Sequence, residues 1–201
     1  MLEGIKKLHF VGIGGVGMSA IAEVMLDKGY EISGSDLSES AVVKHLKAKG
    51  ATIYKGHDAL NVEGKEALVL SSAIHQDNPE LVAAKAKGLK LFHRSDILAY
   101  LLNDAKGIAV AGAHGKTTTS SMISVVLEHA KVDPTILIGG FVDYLKGNAK
   151  LGKSDYLVAE ADESDGSFLK FYPKIAVVTN IEDDHMDHYG SMENIIKALI
   201  Q

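Results

Sequence analysis

Cysteine is absent from all 201 residues. That excludes disulfide staples, thiolate metal sites and a thiol nucleophile, and it fits a reducing compartment. No apolar run approaches the ~18 residues that a membrane span requires. Basic excess is lacking too, since 21 Lys+Arg against 26 Asp+Glu leave a net charge of −5. Neither nucleic acid nor a membrane is expected as a partner, although a local patch could still bind phosphate. The stretch from Lys6 and Lys7 to Ala22 mimics a secretion signal, but His9 and four glycines interrupt it. It reads better as strand, turn and helix, which leaves the cytoplasm as the expected location.

What the chain has in excess is glycine, 20 residues, about a tenth of the whole where ~7% is usual. Surplus glycine points to tight loops close to ligands. Hydrophobic residues at 46% and charged residues at 23% are ordinary for a globular chain, and the length suffices for a sizeable core.

Strand and helix patterns alternate. Leu8–Ile13, Glu31–Ser35, Thr52–Tyr54, Ala67–Leu70 and Lys90–Phe92 read as strands. Helices are expected over 19–28, from a cap at Ser38 to Lys49, from the Asn78-Pro79 pair to Lys87, and from a cap at Ser95 to Asn103. The pattern restarts with strand Gly107–Ala111, helix Thr117–His129, and strands Tyr156–Ala159 and Ile175–Val178. Such alternation means an α/β fold with parallel sheets covered on both faces. A boundary near 104–106 divides the chain into units 1–104 and 105–201. The chain stops inside an apparent helix from Ser191 with no C-cap signal, so a fragment with an unfinished second unit is expected.

Two glycine loops stand at strand-to-helix turns. Gly12-Ile13-Gly14-Gly15-Val16-Gly17 matches G-x-G-x-x-G. Its glycines suit a tight turn, close backbone approach to a pyrophosphate and close helix packing, with helix N–H groups facing the phosphates. Asp36, at the end of the next strand, stands where a carboxylate accepts from ribose hydroxyls. Ser71 and Ser72 follow another strand at the same edge and could line the cleft. The motif does not choose between NAD and a UDP-sugar, and a ligand-free turn stays open.

Gly112-Ala113-His114-Gly115-Lys116-Thr117-Thr118 is an irregular P-loop. The usual first glycine position holds Ala111, and Gly112 comes one residue later. Backbone N–H groups of such a loop cradle phosphates, the lysine reaches β/γ oxygens and the threonine hydroxyl meets Mg²⁺. The bland alternative is a helix start with a chance Gly-Lys-Thr. A P-loop needs an acid on a neighbouring strand, and Glu160 ends the strand from Tyr156. Eight of the 26 acids fall between 160 and 187. A solvated acidic face is the usual cause of such a run, but here it follows two buried-strand patterns and a P-loop. Glu160 and His185 are the candidate metal ligands. Asp162, Glu163, Asp165, Asp183 and Asp184 read as surface or capping residues, or as groups that support a metal ligand, rather than as ligands themselves. His57 could reach the first cleft, His9 reads as structural, and His114 matters more through its backbone than its ring.

One nucleotide-type site and one ATP-type site together suit an ATP-dependent reaction on a nucleotide-linked substrate. GIGGVGMSA (12–20), SGSD (33–36), GAHGKTTT (112–119), EADESDGSF (160–168) and TNIEDDHMDHY (179–189) resemble the Mur ligase family along essentially the whole chain. The resemblance implies a Rossmann-like UDP-sugar domain, then the first part of a central P-loop ATPase domain, with a C-terminal amino-acid domain lying beyond this chain. It implies ATP and Mg²⁺ as cofactors. The implied activity joins L-alanine to the carboxylate of UDP-N-acetylmuramate through an acyl phosphate, in peptidoglycan precursor synthesis. Lys116, Glu160 and His185 would be catalytic, and Thr117, Glu160 and His185 would hold metal. Gly112 to Thr118 would take ATP, and Gly12, Gly14, Gly15 and Gly17 the UDP diphosphate. This chain alone would turn over poorly or not at all. Ligation of a murein peptide to the same UDP-sugar, and more remotely an NAD-binding oxidoreductase or sensor, remain as alternatives. Monomer and homodimer both stay open.

Overall fold

The structure, a computed structural model, describes residues 1–162, 166–183 and 189–200. Two compact units emerge, Met1–Ile97 and Leu98–Gln201. The division falls inside a helix, Arg94–Asn103, and the boundary drawn from the sequence lies just after that helix.

The first unit is a parallel sheet of β1 (Lys7–Val11), β2 (Glu31–Asp36), β3 (Thr52–Lys55), β4 (Ala67–Leu70) and β5 (Lys90–His93), in the order β3-β2-β1-β4-β5. β1 sits centrally, and Leu8, His9, Phe10 and Val11 have no exposed surface, as a strand covered on both faces requires. The order reverses at β1/β4, and ligands of doubly wound sheets sit at such a switch point.

α1 (Val16–Asp27) begins directly at the glycine loop, three residues before the expected Ser19. Ser19 lies in its first turn and donates back to the Val16 carbonyl at 3.0 Å, so it cannot cap. α2 (Ala41–Ala48) is capped by Ser40, whose Oγ accepts from the Val43 N–H, and not by Ser38. Ser38 is spent on Asp36, to which both its N–H and its hydroxyl donate. α3 (Pro79–Ala86) follows the expected cap, with Asn78 accepting from the Glu80 and Leu81 N–H groups. α4 (Arg94–Asn103) starts ahead of Ser95. Asp96 in its first turn reaches back to accept the His93 N–H at 2.8 Å, which is half of a capping box.

The second unit holds β6 (Lys106–Ala111), β7 (Thr135–Val142), β8 (Gly147–Lys150), β9 (Tyr156–Glu160) and β10 (Ile175–Val178), in the order β10-β6-β9-β7-β8. All neighbours run parallel except β7 and β8. α5 (Lys116–His129) follows the second loop, and α6 spans Met192–Ile200. The fold is therefore α/β in both units, as the alternating pattern implied. The β7–β8 pair was not legible in the sequence. Gly139-Gly140 break the apolar run of β7, its register with β8 shifts between Leu137 and Val142, and β8 reads Gly-Asn-Ala-Lys. Among the described residues no helix is long and apolar enough to cross a membrane.

Candidate functional site

Both glycine loops leave the C-terminal end of the strand at or near the centre of their sheet, where open α/β sheets place ligands. In the first unit, β2 supports the loop from the side. The Ser35 carbonyl accepts from the Gly12 and Ile13 N–H groups at 2.9 and 3.0 Å. Asp36 Oδ2 accepts from the Gly14 N–H at 2.8 Å. Gly12 has φ +72°, the left-handed turn its position needs. A Cβ on Gly14 would lie 2.7 Å from Asp36 Oδ2, so this glycine also makes room for the carboxylate. A Cβ on Gly17 would meet Arg94 Nη1 at 3.5 Å. That is an ordinary contact, so α4 brings a guanidinium beside the start of α1. Gly15 is the N-cap of α1 without a side-chain cap.

Ser71 and Ser72 begin the turn after β4. The Ser71 carbonyl accepts from the Ile74 N–H, and Ile74 flanks Gly12. Ser72 Oγ pairs with His93 Nε2 at 3.2 Å. Behind β2, in the first turn of α3, Glu80 is a carboxylate with no exposed surface. Its Oε1 accepts from His9 Nε2 at 3.2 Å and from Asn61 Nδ2 at 2.7 Å. Its Oε2 accepts from Ser35 Oγ at 2.6 Å and from His57 Nδ1 at 2.9 Å. Burial alone would push this carboxyl up, but the bonds from His9, Ser35, Asn61 and His57 outweigh it and bring the pKa down to about 2. His9 is structural, as read from the sequence. His57 packs against Ser35 as well as Glu80, directly behind the loop.

In the second unit, Gly112 has φ +126°, and a Cβ there would collide with Thr179 Oγ1 and the Asn180 backbone. Position 112 of this P-loop therefore requires glycine. Thr179 donates its hydroxyl to the His114 carbonyl at 2.6 Å. Asn180 grips the same residue on both sides: Oδ1 accepts the His114 N–H and Nδ2 donates to the His114 carbonyl, each at 2.9 Å. The His114 backbone is thus the held part, while its ring pairs with exposed Glu182 at 3.4 Å. Gly115, at φ +83°, caps α5. The Lys116 ammonium donates to the Gly112 carbonyl at 2.5 Å, curled over the loop. Thr117 Oγ1 donates to Glu160 Oε2 at 3.2 Å, and the Gly139 N–H donates to Glu160 Oε1 at 2.8 Å. A Cβ on Gly139 would lie 2.6 Å from Glu160, and one on Gly140 3.2 Å from Thr117 Cγ2.

The structure thus brings Lys116, Thr117 and Glu160 together. His185 lies outside the described residues, as do Glu163, Asp165 and Asp184. Among the described residues no group of three His, Asp or Glu side chains converges to hold a metal. The Thr117 hydroxyl and Glu160 carboxylate are nonetheless a pair of oxygen donors of the kind Mg²⁺ accepts beside phosphate oxygens and water. Sequence reasoning missed Glu80, Arg94, Thr179, Asn180 and the Gly139-Gly140 pair. Paired glycines inside an apolar strand were the one available signal, since they mark close approach.

The sequence pattern described as "Mur ligase family, catalytic domain" matches residues 7–116, and that of the "Mur ligase middle domain" matches 110–201. A UDP-N-acetylmuramate–L-alanine ligase of Pelotomaculum thermopropionicum is 56% identical over 193 residues, covering 96% of this chain and 42% of that protein. The chain thus spans less than half the length of such curated relatives. Among solved structures, the UDP-N-acetylmuramate-alanine ligase of Thermotoga maritima superposes with TM-score 0.86 at 34% identity, over 96% of this chain and 45% of that one. A ligase from Neisseria meningitides that joins UDP-N-acetylmuramate to L-alanyl-γ-D-glutamyl-meso-diaminopimelate gives TM-score 0.88 at 30% identity, over 98% and 68%.

Proposed function

This chain belongs to the Mur ligase family, and from that premise we propose that it is the UDP-sugar-binding unit and part of the ATP-binding unit of a UDP-N-acetylmuramate–L-alanine ligase. The observation that carries the reading is the cluster of Lys116, Thr117 and Glu160 on a loop held by Thr179 and Asn180. Together with a second, cation-flanked glycine loop in the other unit, it calls for two phosphate-bearing ligands.

In this reading the substrate carboxylate attacks the γ-phosphorus of ATP, ADP leaves, and an acyl phosphate forms. The L-alanine amine then attacks the acyl carbon, loses a proton, and inorganic phosphate leaves. Negative charge crowds the phosphoryl group in the first step, so positioning and cations supply most of the catalysis. Lys116 exchanges the Gly112 carbonyl for β/γ oxygens. Thr117 and Glu160, with His185, would hold Mg²⁺, which neutralises phosphate charge when bound. Gly139 donates to the carboxylate oxygen that Thr117 does not occupy, which fixes the carboxylate plane. In the first unit the start of α1 and Arg94 would receive the UDP diphosphate, while Ser35 and Asp36 hold the Gly12, Ile13 and Gly14 amides that shape the loop in front of it. ATP and UDP-activated substrates place the reaction in the cytoplasm.

The alanine reading is preferred to the peptide reading because relatives at 51–56% identity carry the alanine name, against 30% for the peptide ligase of N. meningitides. A thermal-shift titration of the 201-residue chain tests the first site. Ligand at ~100 times Kd adds about 2.7 kcal/mol to a native state that alone binds it. At roughly 2–4 °C per kcal/mol for a chain of this size, the shift is easily read. Stabilisation by UDP-N-acetylmuramate and none by NADH is expected, and the reverse overturns the reading. Offering L-alanine or the tripeptide to the full-length protein separates the two ligases.

A further inference from the structure

Glu80 is buried in the first turn of α3, yet its two oxygens serve different parts of the first unit. Oε1 faces His9 of β1 and Asn61 of the short 3-10 turn, and ties α3 to the sheet. Oε2 faces Ser35 and His57. Ser35 is the link outward. Its hydroxyl donates to Glu80, while its carbonyl holds the Gly12 and Ile13 N–H groups. The next residue, Asp36, holds the Gly14 N–H. The last two residues of β2 therefore hold three consecutive loop amides and fix the path of the loop, and the Glu80 carboxylate sets the Ser35 end of that support.

The bonding scheme requires an ionised carboxylate. Ser35 has one hydroxyl proton, given to Oε2, so the His57 Nδ1–H is shared between Oε2 and Ser35 Oγ. His9 presents Nε2–H to Oε1, and its Nδ1 pairs with Ser33 Oγ at 2.9 Å. Every group facing Glu80 in this scheme is a donor. A glutamine of the same shape would turn its own N–H₂ against one pair of donors.

We propose that Glu80 is a positioning residue for the diphosphate of the UDP-sugar, acting from its Oε2 edge through Ser35 on the Gly12–Gly14 amides, while its Oε1 edge serves stability alone. This rests on the UDP-sugar reading of the first unit. The network lies one layer below the ligand, so the effect reaches the phosphates through loop order and not by contact.

The experiment compares the two edges in the 201-residue chain. Glu80→Gln disturbs both edges, Ser35→Ala the Oε2 edge alone and Asn61→Ala the Oε1 edge alone. Affinity for UDP-N-acetylmuramate and for UDP is measured by calorimetry well below each melting midpoint, with amide hydrogen exchange read at Gly12 to Gly14. Glu80→Gln and Ser35→Ala are expected to weaken both ligands about tenfold, because binding must then order the loop, and to speed exchange at the three loop amides. Asn61→Ala is expected to lower the midpoint while leaving affinity within about twofold of the parent. Should Glu80→Gln fail to fold, Ser35→Ala against Asn61→Ala carries the comparison. Equal affinities across all variants, or equal losses at both edges, overturn the proposal. A parent chain that binds neither ligand overturns the UDP-sugar reading instead, and loop exchange still decides whether the Oε2 edge orders the loop.

Discussion

The two glycine loops of this molecule occupy equivalent places in their sheets and are held by opposite means. The first is gripped by the end of a neighbouring strand: the Ser35 carbonyl and the Asp36 carboxylate take its N–H groups from one side. It contains no charged side chain, and its cation, Arg94, comes from another helix. The second loop carries its own cation, Lys116, and is clamped by the neutral side chains of Thr179 and Asn180 on the His114 backbone. Its acid, Glu160, lies across from Thr117. The difference follows the ligand each would take. A diphosphate that is only bound needs an ordered loop ahead of a helix start. A triphosphate that reacts needs mobile positive charge and an acid to hold a metal.

Removing that cation should give the largest effect. Lys116→Ala in the full-length protein is expected to cut turnover at least 10²–10³-fold, the scale of one lost electrostatic contact to a developing charge. UDP-sugar affinity of the 201-residue chain should stay unchanged, measured by calorimetry. Loss of both would mean the loops are not independent.

Adding a methyl group to each loop sharpens the contrast. Gly112→Ala places Cβ against Thr179 Oγ1 and the backbone of Asn180 at φ +126°. Neither neighbour can yield, so a stability loss of about 2–3 kcal/mol is expected from chemical denaturation. At Gly14 the clash is with the far end of Asp36, which can swing aside. Gly14→Ala should therefore cost less than about 1 kcal/mol of stability and instead weaken UDP-sugar binding. Equal stability losses would refute the distinction between a backbone clamp and a side-chain grip.

Acid should separate the units in another way. The folded pKa of Glu80, about 2, lies below its ordinary 4.5. The native state then binds fewer protons than the unfolded chain, and this contribution is full above pH ~4.5 and lost as pH falls towards ~2. Residue-resolved amide exchange across that window should show protection falling first around β1, β2 and α3. Glu80→Gln, already weakened by roughly 1–3 kcal/mol through its unpaired buried donors, should lose that part of the pH slope. An unchanged slope would remove Glu80 as the acid-sensitive group.

The first sheet, the parallel strands β6, β9 and β10 of the second, and both loops were legible because buried parallel strands and glycine turns leave strong local patterns. Lys116, Thr117 and Glu160 were legible for the same reason, each standing at a fixed offset from a strand end. Glu80 was not, since a glutamate in the first turn of a helix satisfies the helix dipole without any further role. Its partners lie 19 to 71 residues away in sequence, so its burial exists only after β1, β2 and α3 have assembled. Asn180 and Gly139 were hidden likewise, because their contacts with His114 and Glu160 cross from one strand end to another.

The smallest effect concerns the cap of α2, beside Asp36. The sequence offers Ser38 and Ser40, two hydroxyls two residues apart, and pattern alone favoured the wrong one. Ser40 caps the helix, and Ser38 closes a local turn on Asp36 Oδ1. Ser40→Ala should cost about 1 kcal/mol of stability, as other lost N-caps do, with UDP-sugar affinity unaltered. Ser38→Ala should cost less in stability but slacken the carboxylate that holds the Gly14 N–H, and so show a small loss of affinity. Thermal midpoints and calorimetry on the two variants would reveal the crossover. If both serines affected only stability, Asp36 would hold its loop without help, and the support of the first loop would end at β2.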